Sequence, residues 1–180
     1  FDARGNSLYS FFAYATTFRG GVNVAAGDVN GDGVDEIITG AGAGGAPHVR
    51  VFDARGNSLY SFFAYATTFR GGVNVAAGDV LGNYAEEIIT GTGPGSAPHV
   101  RIFDQSGVSL AGFFAYATTF RGGVNVAAGD MDSDGINEIV TAPAGSGGPH
   151  VRVFSGTGIA ESQLFAFPTS YRGSVSVAAQ

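Results

Sequence analysis

The chain has 180 residues, of which 44% are hydrophobic, 12% are aromatic and 30 are glycine. Apolar surface on this scale excludes a disordered glycine-rich linker, and no apolar run approaches the roughly 18 residues of a membrane-spanning helix, so we expect no membrane insertion. The formal charge is −6 and cysteine is absent, which excludes disulfides and thiolate metal sites and makes a nucleic-acid partner unexpected.

The chain repeats itself with a period of 51 residues. Residues 1–29 are identical to residues 52–80, and looser copies start at Phe103 and Phe154. A fixed period near 50 residues indicates a repeat architecture, in which each unit buries its surface against its neighbours. A residue present in every unit usually serves the unit itself, so the repeat also argues against a single catalytic centre.

The predicted elements follow the same order in every unit. Residues 8–14 form an aromatic strand, residues 21–26 alternate valine with other residues, residues 36–39 are β-branched, and residues 47–52 alternate again. Such short runs, separated by an acidic loop and by glycine-rich turns, predict strands, and no stretch has the period of a long helix. Four strands per unit predict an all-β fold of four-stranded antiparallel β-propeller blades.

We predict one repeat array over residues 1–180. Its parts are the outer strand of a preceding blade (1–18), three blades (19–69, 70–120 and 121–171) and the inner strand of a next blade (172–180). A propeller has at least four blades. We therefore expect the array to belong to a larger propeller, whose further blades come from the same longer polypeptide or from another copy.

The loop after each inner strand is the candidate metal site. Oxygen-bearing residues fall at positions 1, 3, 5 and 9, a glycine stands at position 6, and the carbonyl at position 7 can point inward. The predicted ligands are Asp28, Asn30, Asp32, Val34 (carbonyl) and Glu36 in the first loop, and Asp130, Asp132, Asp134, Ile136 (carbonyl) and Glu138 in the third. Oxygen-only ligands in this pattern suit Ca²⁺. The alternative is a solvated turn, but eleven of the fifteen acidic residues lie in the three loops, where they would repel one another without a cation.

The second loop departs from this pattern. It keeps Asp79, Asn83 and Glu87, but Leu81 stands at the third position and Tyr84 replaces the glycine. We expect calcium in the first and third loops, whereas metal binding by the second stays open. Four of the predicted ligands of the third loop are carboxylates against three of those of the first, so we expect the third loop to bind calcium more tightly.

The motif Gly-Asp-Val-Asn-Gly-Asp-Gly at residues 27–33, with Gly-Ala-Pro at residues 45–47, resembles the FG-GAP (VCBS-type) repeat of integrin α-subunit propellers and bacterial surface proteins. The resemblance covers essentially the whole chain, although the Phe-Gly pair is missing and Phe-Arg-Gly at residues 18–20 stands near its place. It implies calcium in the loops, usually with Asp at position 9, where this chain has Glu. It also implies a secreted or cell-surface protein that acts in adhesion, in recognition of a protein or glycan, or in structure.

We expect this role to be non-enzymatic. The alternative is the propeller scaffold of a secreted carbohydrate-active lyase or hydrolase, or a lectin. An enzyme would need a non-repeated acid and base, and no such set occurs at the non-repeated positions Tyr84, Gln105, Met131, Glu161 and Gln163.

Three further sets of residues recur with the period. The histidines His48, His99 and His150 are expected to pack between blades, and the alternative is a channel or ligand site on the propeller axis. The arginines Arg19, Arg70, Arg121 and Arg172 are expected to pair with acidic groups of an adjacent blade, and the alternative is a carbohydrate or carboxylate contact. The aromatic residues Phe11, Phe12, Tyr14 and Phe18 are expected to form inter-blade core rather than a platform for a sugar.

Overall fold

The computed structural model describes residues 4–179, which form twelve β-strands and no helix. Consequently no helix capable of spanning a membrane occurs among them. The first sheet contains β1 Val22–Gly27, β2 Glu36–Ala41, β3 His48–Phe52 and β4 Ser58–Phe63. The second contains β5 Val73–Gly78, β6 Glu87–Thr92, β7 His99–Phe103 and β8 Ser109–Phe114. The third contains β9 Val124–Gly129, β10 Glu138–Pro143, β11 His150–Phe154 and β12 Ala160–Phe165.

Each sheet is an antiparallel meander in which strands that are neighbours in the chain lie side by side. The predicted all-β fold of four-stranded blades is therefore confirmed. The connections fall at two ends. The acidic loops and the hairpins between third and fourth strands lie at one end, called here the loop end. The glycine-rich turns and the connections to the next sheet lie at the other, called here the turn end.

Neighbouring sheets pack face to face through apolar cores. The core between the first two sheets includes Val49, Val51 and Phe103, all buried. The first strand of each following sheet crosses close to the second strand of the sheet before it. A Cβ atom on Gly40 would collide with the carbonyl oxygen of Val73, and one on Gly91 with that of Val124. Glycine is needed at both positions because the backbones approach too closely for a side chain.

A ladder of asparagine side chains links the first strands of the sheets. The Asn23 amide Nδ2 donates to the carbonyl oxygen of Val73 at 2.8 Å and to Oδ1 of Asn74 at 3.0 Å. Asn74 makes the same two bonds to the third sheet, and Asn125 Nδ2 donates to the carbonyl oxygen of Val175 at 2.7 Å. Because every amide donates toward the following unit, the ladder has a direction.

The strands predicted at the two ends of the array are not formed within the described residues. Residues 4–18 and 172–179 carry no strand, and residues 1–3 and 180 of those predicted strands lie outside the described part. In a complete sheet, the outer strand pairs with a third strand and the inner strand with a second. Neither segment has such a neighbour within residues 4–179, so no hydrogen-bond ladder forms. The predicted blade boundaries stay predictions, and each of the ranges 19–69, 70–120 and 121–171 contains one sheet.

The segment before the first sheet nevertheless packs as the outer strand of a preceding blade would. The ring of Phe11 lies 4.8 Å from that of Phe52, which matches the 4.8 Å between Phe62 and Phe103. The Tyr14 hydroxyl donates to the carbonyl oxygen of His48 at 2.8 Å, as do its counterparts in the next two units. The packing of one unit on the next therefore does not require the outer strand to be hydrogen-bonded in a sheet.

Candidate metal centre

The register between the first and second strands brings the two ends of each acidic loop together. Gly27 pairs with Glu36, Gly78 with Glu87, and Gly129 with Glu138, so each loop leaves one strand and enters the next at the same level. Each register brings the first loop residue close to the glutamate that opens the second strand. The sequence positions 1 and 9 thus become spatial neighbours at the loop end.

In the first loop, the Asp28 carboxylate organises the turn. Its Oδ1 accepts the N–H groups of Gly31 and Asp32 at 2.8 and 3.1 Å, and its Oδ2 accepts that of Gly33 at 2.8 Å. Gly31 and Gly33 have φ of 76° and 85°, the left-handed region that glycine occupies without strain. Asp32 Oδ1 accepts the N–H of Val34 at 2.9 Å. The polar side chains thus line the inside of a tight loop.

Glu36 is a buried candidate ligand of the first loop. Its side chain is 3% exposed. Oε1 accepts a hydrogen bond from Asn30 Nδ2 at 2.8 Å, whereas Oε2 is buried with no hydrogen-bond partner. Burial raises the pKa of Glu36, the negative charges of Asp32 and Asp28 raise it further, and the backbone N–H groups of Val29 and Asn30 oppose the shift without cancelling it. A buried carboxylate oxygen without a donor is costly, and a cation beside it would remove that cost.

The third loop brings three carboxylates together. Oxygen atoms of Asp130, Asp132 and Glu138 all lie within 4.8 Å of one another. Asp130 Oδ1 accepts the N–H of Ser133 at 2.7 Å, and Glu138 Oε2 accepts that of Met131 at 2.8 Å. Burial raises the pKa of Glu138, and nearby carboxylates add to this effect. Three carboxylates at this separation are an oxygen donor set suited to a hard cation.

Asp134 is not part of this trio. Asp134 Oδ1 accepts the N–H of Ile136 at 2.8 Å, in the same way as Asp32 accepts that of Val34. Its oxygens are not among those that lie within 4.8 Å of one another. Roles for Asp134 and for the carbonyls of Val34 and Ile136 stay predictions.

The second loop satisfies its own polar groups. Asp79 Oδ2 accepts the N–H of Tyr84 at 2.9 Å. Glu87 Oε1 accepts a bond from Asn83 Nδ2 at 2.8 Å, and Oε2 accepts the N–H of Val80 at 3.0 Å. Tyr84 has φ of 71° at the position of the missing glycine. The second loop therefore keeps the turn of its neighbours without a carboxylate or amide at the third position, where Leu81 stands.

Backbone hydrogen bonds join neighbouring loops. The N–H of Glu86 donates to the carbonyl oxygen of Asp28 at 3.2 Å, and that of Asn137 to the carbonyl oxygen of Asp79 at 2.8 Å. Each acceptor is the carbonyl of a first loop residue. The backbone at one candidate site is therefore held by the loop of the next sheet.

The repeated arginines are held by their own turns. Arg19 Nη1 donates to the carbonyl oxygens of Thr16 and Phe18, and the other three arginines make the equivalent pairs of bonds. Within residues 4–179 no acidic group pairs with these arginines, so the expected pairing with an adjacent blade is not found there. Another arginine spans the units instead: the Arg50 guanidinium lies over the Phe52 ring at 4.7 Å and donates to the carbonyl oxygen of Ala13. Its recurrence beside phenylalanine on the third strand was the sequence signal that could have found it.

The repeated histidines open the third strand of each sheet. The ring of His48 stacks on that of Phe63 at 4.7 Å and lies 5.9 Å from that of Tyr14, which belongs to the preceding unit. His99 and His150 make equivalent contacts. These side chains lie beside the outer strands rather than the first strands. These ring contacts agree with the expected packing of the histidines between blades.

Comparison with known proteins bears on the repeat. Residues 20–60 match the family model of the FG-GAP repeat. A protein of unknown function from Bacteroides caccae is similar to 82% of the chain, with 15% identity and a TM-score of 0.45. The V. cholerae biofilm matrix protein Bap1 is similar to 86% of the chain, with 19% identity and a TM-score of 0.42. The chain spans 46% and 30% of the lengths of these two proteins. Residues 20–60 are an FG-GAP repeat, and copies of this unit recur at intervals of 51 residues along the chain.

Proposed function

We propose that this chain is a calcium-binding, non-enzymatic β-propeller module of a secreted or cell-surface protein, with a role in adhesion, recognition or structure. The observation that carries the proposal is the third loop, where Asp130, Asp132 and Glu138 bring carboxylate oxygens within 4.8 Å of one another. The buried, unpartnered Oε2 of Glu36 gives independent support for a cation in the first loop.

The donor set favours calcium over other metals. The candidate side-chain ligands of the two loops offer only oxygen atoms, and all three histidines lie on the third strands, away from the loops. Hard cations take oxygen ligands, and calcium tolerates the irregular geometry of a loop better than magnesium does. The ion would supply positive charge beside carboxylates that burial and mutual repulsion disfavour.

The proposed location follows from the affinity expected of such sites. Extracellular calcium modules bind with dissociation constants of about 10⁻⁴–10⁻³ M. Sites of that strength fill outside the cell and stay empty in the cytosol. The FG-GAP match at residues 20–60 supports the same location.

The exposed face of the first sheet supports assembly with further blades. Val24 is 62% exposed, whereas Val75, its counterpart in the second sheet, is 8% exposed. The two residues lie in strands of identical sequence, and the difference is the absence of a sheet before β1 within the described residues. A further blade, from the same longer polypeptide or from another copy, would bury this face.

A calcium titration by calorimetry tests the proposal. We expect two sites, and we expect Asp130→Asn to abolish one of them. Asp79→Asn is the matched control, because it changes the equivalent residue in the loop that is expected to bind no calcium. Heat from three equal sites, or none, would contradict the proposal.

A further inference from the structure

A second repeated site lies at the turn end, away from the acidic loops. Phe63, Phe114 and Phe165 end the outer strands of the three sheets and are 48%, 48% and 55% exposed. Each ring stacks on the histidine directly across the sheet, with centroids 4.7 Å apart in all three sheets. The inter-blade core role expected for Phe12 therefore does not hold at the equivalent position of the three sheets.

The neighbouring phenylalanine takes the packing role. Phe62 and Phe113, one residue earlier, pack against aromatic rings of the following sheet, with centroids 4.8 and 4.6 Å apart. Successive side chains of a strand point to opposite faces, so Phe63 and Phe114 face the other way and remain half exposed. In the most divergent unit the packing residue becomes Leu164, whereas the exposed Phe165 is retained. No contact between sheets accounts for an aromatic ring at this exposed position.

The exposed ring forms one wall of a groove between neighbouring sheets. In the third sheet, Phe165 and His150 face Tyr116 and Phe120 of the preceding unit across a cavity of about 250 Å³. The ring of Tyr116 lies 6.0 Å from that of His150, and the corresponding distances in the two preceding units are both 5.9 Å. The same four-ring arrangement therefore recurs at each boundary between units, and we call it the aromatic groove.

The lining of the groove favours a neutral ligand. No charged residue lines the groove at Phe165, and the nearby Arg121 guanidinium donates to the carbonyl oxygens of Thr118 and Phe120. The Tyr116 hydroxyl donates to the carbonyl oxygen of His150 at 2.8 Å. The surface that remains accessible to a ligand is the face of the Phe165 ring beside the imidazole of His150. Within residues 4–179, the ring nitrogens of His48 and His99 have no hydrogen-bond partner, whereas Nε2 of His150 lies 2.9 Å from Oε1 of Gln163.

We propose that the aromatic grooves bind the sugar rings of a neutral polysaccharide. A pyranose ring presents an apolar C–H face, which fits against a phenylalanine, and hydroxyl groups at its edge, which can bond to an imidazole. Such a pocket, largely apolar with a few polar groups, is the usual form of a small-molecule site. Repetition of the groove at successive unit boundaries suits a polymer, because linked weak contacts reinforce one another. The inference names a ligand class for the recognition role proposed above and rests on that role.

The test measures binding of cellohexaose, maltohexaose and chitohexaose to the whole chain by calorimetry and by ¹⁵N-labelled NMR. At least one of these neutral probes should bind, with amide shifts centred on the turn end. Combined substitution Phe63→Ala, Phe114→Ala and Phe165→Ala should weaken binding by at least about tenfold, as expected for loss of aromatic anchors. Phe12→Ala is the matched control. Phe12 is the equivalent residue of the first unit and is 77% exposed, but no histidine strand faces it within the described residues.

Further variants and conditions keep the test decisive. Phe114→Trp enlarges the ring face at an exposed position and should tighten binding, which guards against a triple variant that fails to fold. Absence of binding by all three probes, equal binding by a folded triple variant, or preference for polygalacturonate or for an apolar peptide would overturn the inference. Each titration is run with calcium and with chelator. If no heat of calcium binding is measured but the sugar probes still bind, only the calcium proposal is contradicted. If calcium binds but no sugar probe does, only the proposal for the aromatic groove is contradicted.

Discussion

The first and second acidic loops follow strands of identical sequence, begin with the same Asp-Val pair and close on the same strand register. In both, the opening aspartate accepts backbone N–H groups of the turn, and the closing glutamate is buried. They differ in how the glutamate is satisfied. Both oxygens of Glu87 accept hydrogen bonds within its loop, whereas Oε2 of Glu36 has no partner. The second loop therefore satisfies its closing glutamate by hydrogen bonds alone.

Of the changes considered, removal of calcium should have the largest effect on the stability of the chain. An ion at 100 times its dissociation constant adds about 2.7 kcal/mol per site to the free energy of unfolding. Two such sites in a domain of this size correspond to a melting temperature higher by on the order of 10 °C. Differential scanning calorimetry in calcium and in chelator measures the difference. An unchanged melting temperature would mean that the first and third loops, like the second, need no ion.

A designed second loop should gain the property that it lacks. Leu81→Asp combined with Tyr84→Gly restores the third-position carboxylate and the glycine at the left-handed position. We expect one additional calcium site in the titration, because the turn, the opening aspartate and the buried Glu87 are already in place. Tyr84→Gly alone is the control and should add no site. If the double variant binds no further calcium, side chains outside the loop must decide binding.

Exchange of one residue should bring the first and third loops to a common affinity. Asp132→Asn gives the third loop the donor set of the first, and Asn30→Asp does the reverse. Ligand charge is one determinant of calcium affinity, so we expect a shift on the order of tenfold in opposite directions. Competition with a fluorescent chelator provides the two dissociation constants. Equal affinities in the unaltered chain would remove the basis for ranking the loops.

The smallest expected effect is on the pH dependence of stability. Burial raises the pKa of Glu36 and of Glu87 above the ordinary value of 4.5. A raised pKa in the folded state gives stability that is full below 4.5 and is lost as the pH rises through the raised value. In chelator, Glu36→Gln and Glu87→Gln should each flatten the decline measured by urea unfolding between pH 5 and 7. With saturating calcium, only Glu87→Gln should still do so, because the ion keeps Glu36 ionised.

The sequence predicts local features of this molecule well. The 51-residue period, the alternation of valine in residues 21–26 and the spacing of oxygen-bearing residues after Asp28 depend only on neighbours in the chain. They were sufficient to predict the sheets and the turns that hold the candidate ligands. The match at residues 20–60 to the FG-GAP model agrees with the resemblance noted from the same motif.

Features that depend on contact between units were predicted less well. Alternation places Phe62 and Phe63 on opposite faces of a strand but does not say which face a neighbour covers. The expected pairing of Arg19 with an acidic group was not found. Its guanidinium donates instead to carbonyl oxygens of its own turn. Residues 8–14 have the composition of a strand, yet a strand also needs a hydrogen-bonded partner, which the composition of one segment does not supply.

The one-way asparagine ladder restricts how this molecule can associate through its open faces. Asn23 and Asn74 each donate to the unit that follows, and none of these bonds runs backward. A copy added through the same contacts must therefore present its leading face to the trailing face of the one before it. Such heterologous contacts generate rings when the rotation closes and open filaments when it does not. Asn23, Asn74 and Asn125 already have their acceptors within the chain, and Ser176 stands at the next position, so a copy that follows would receive no amide from this ladder.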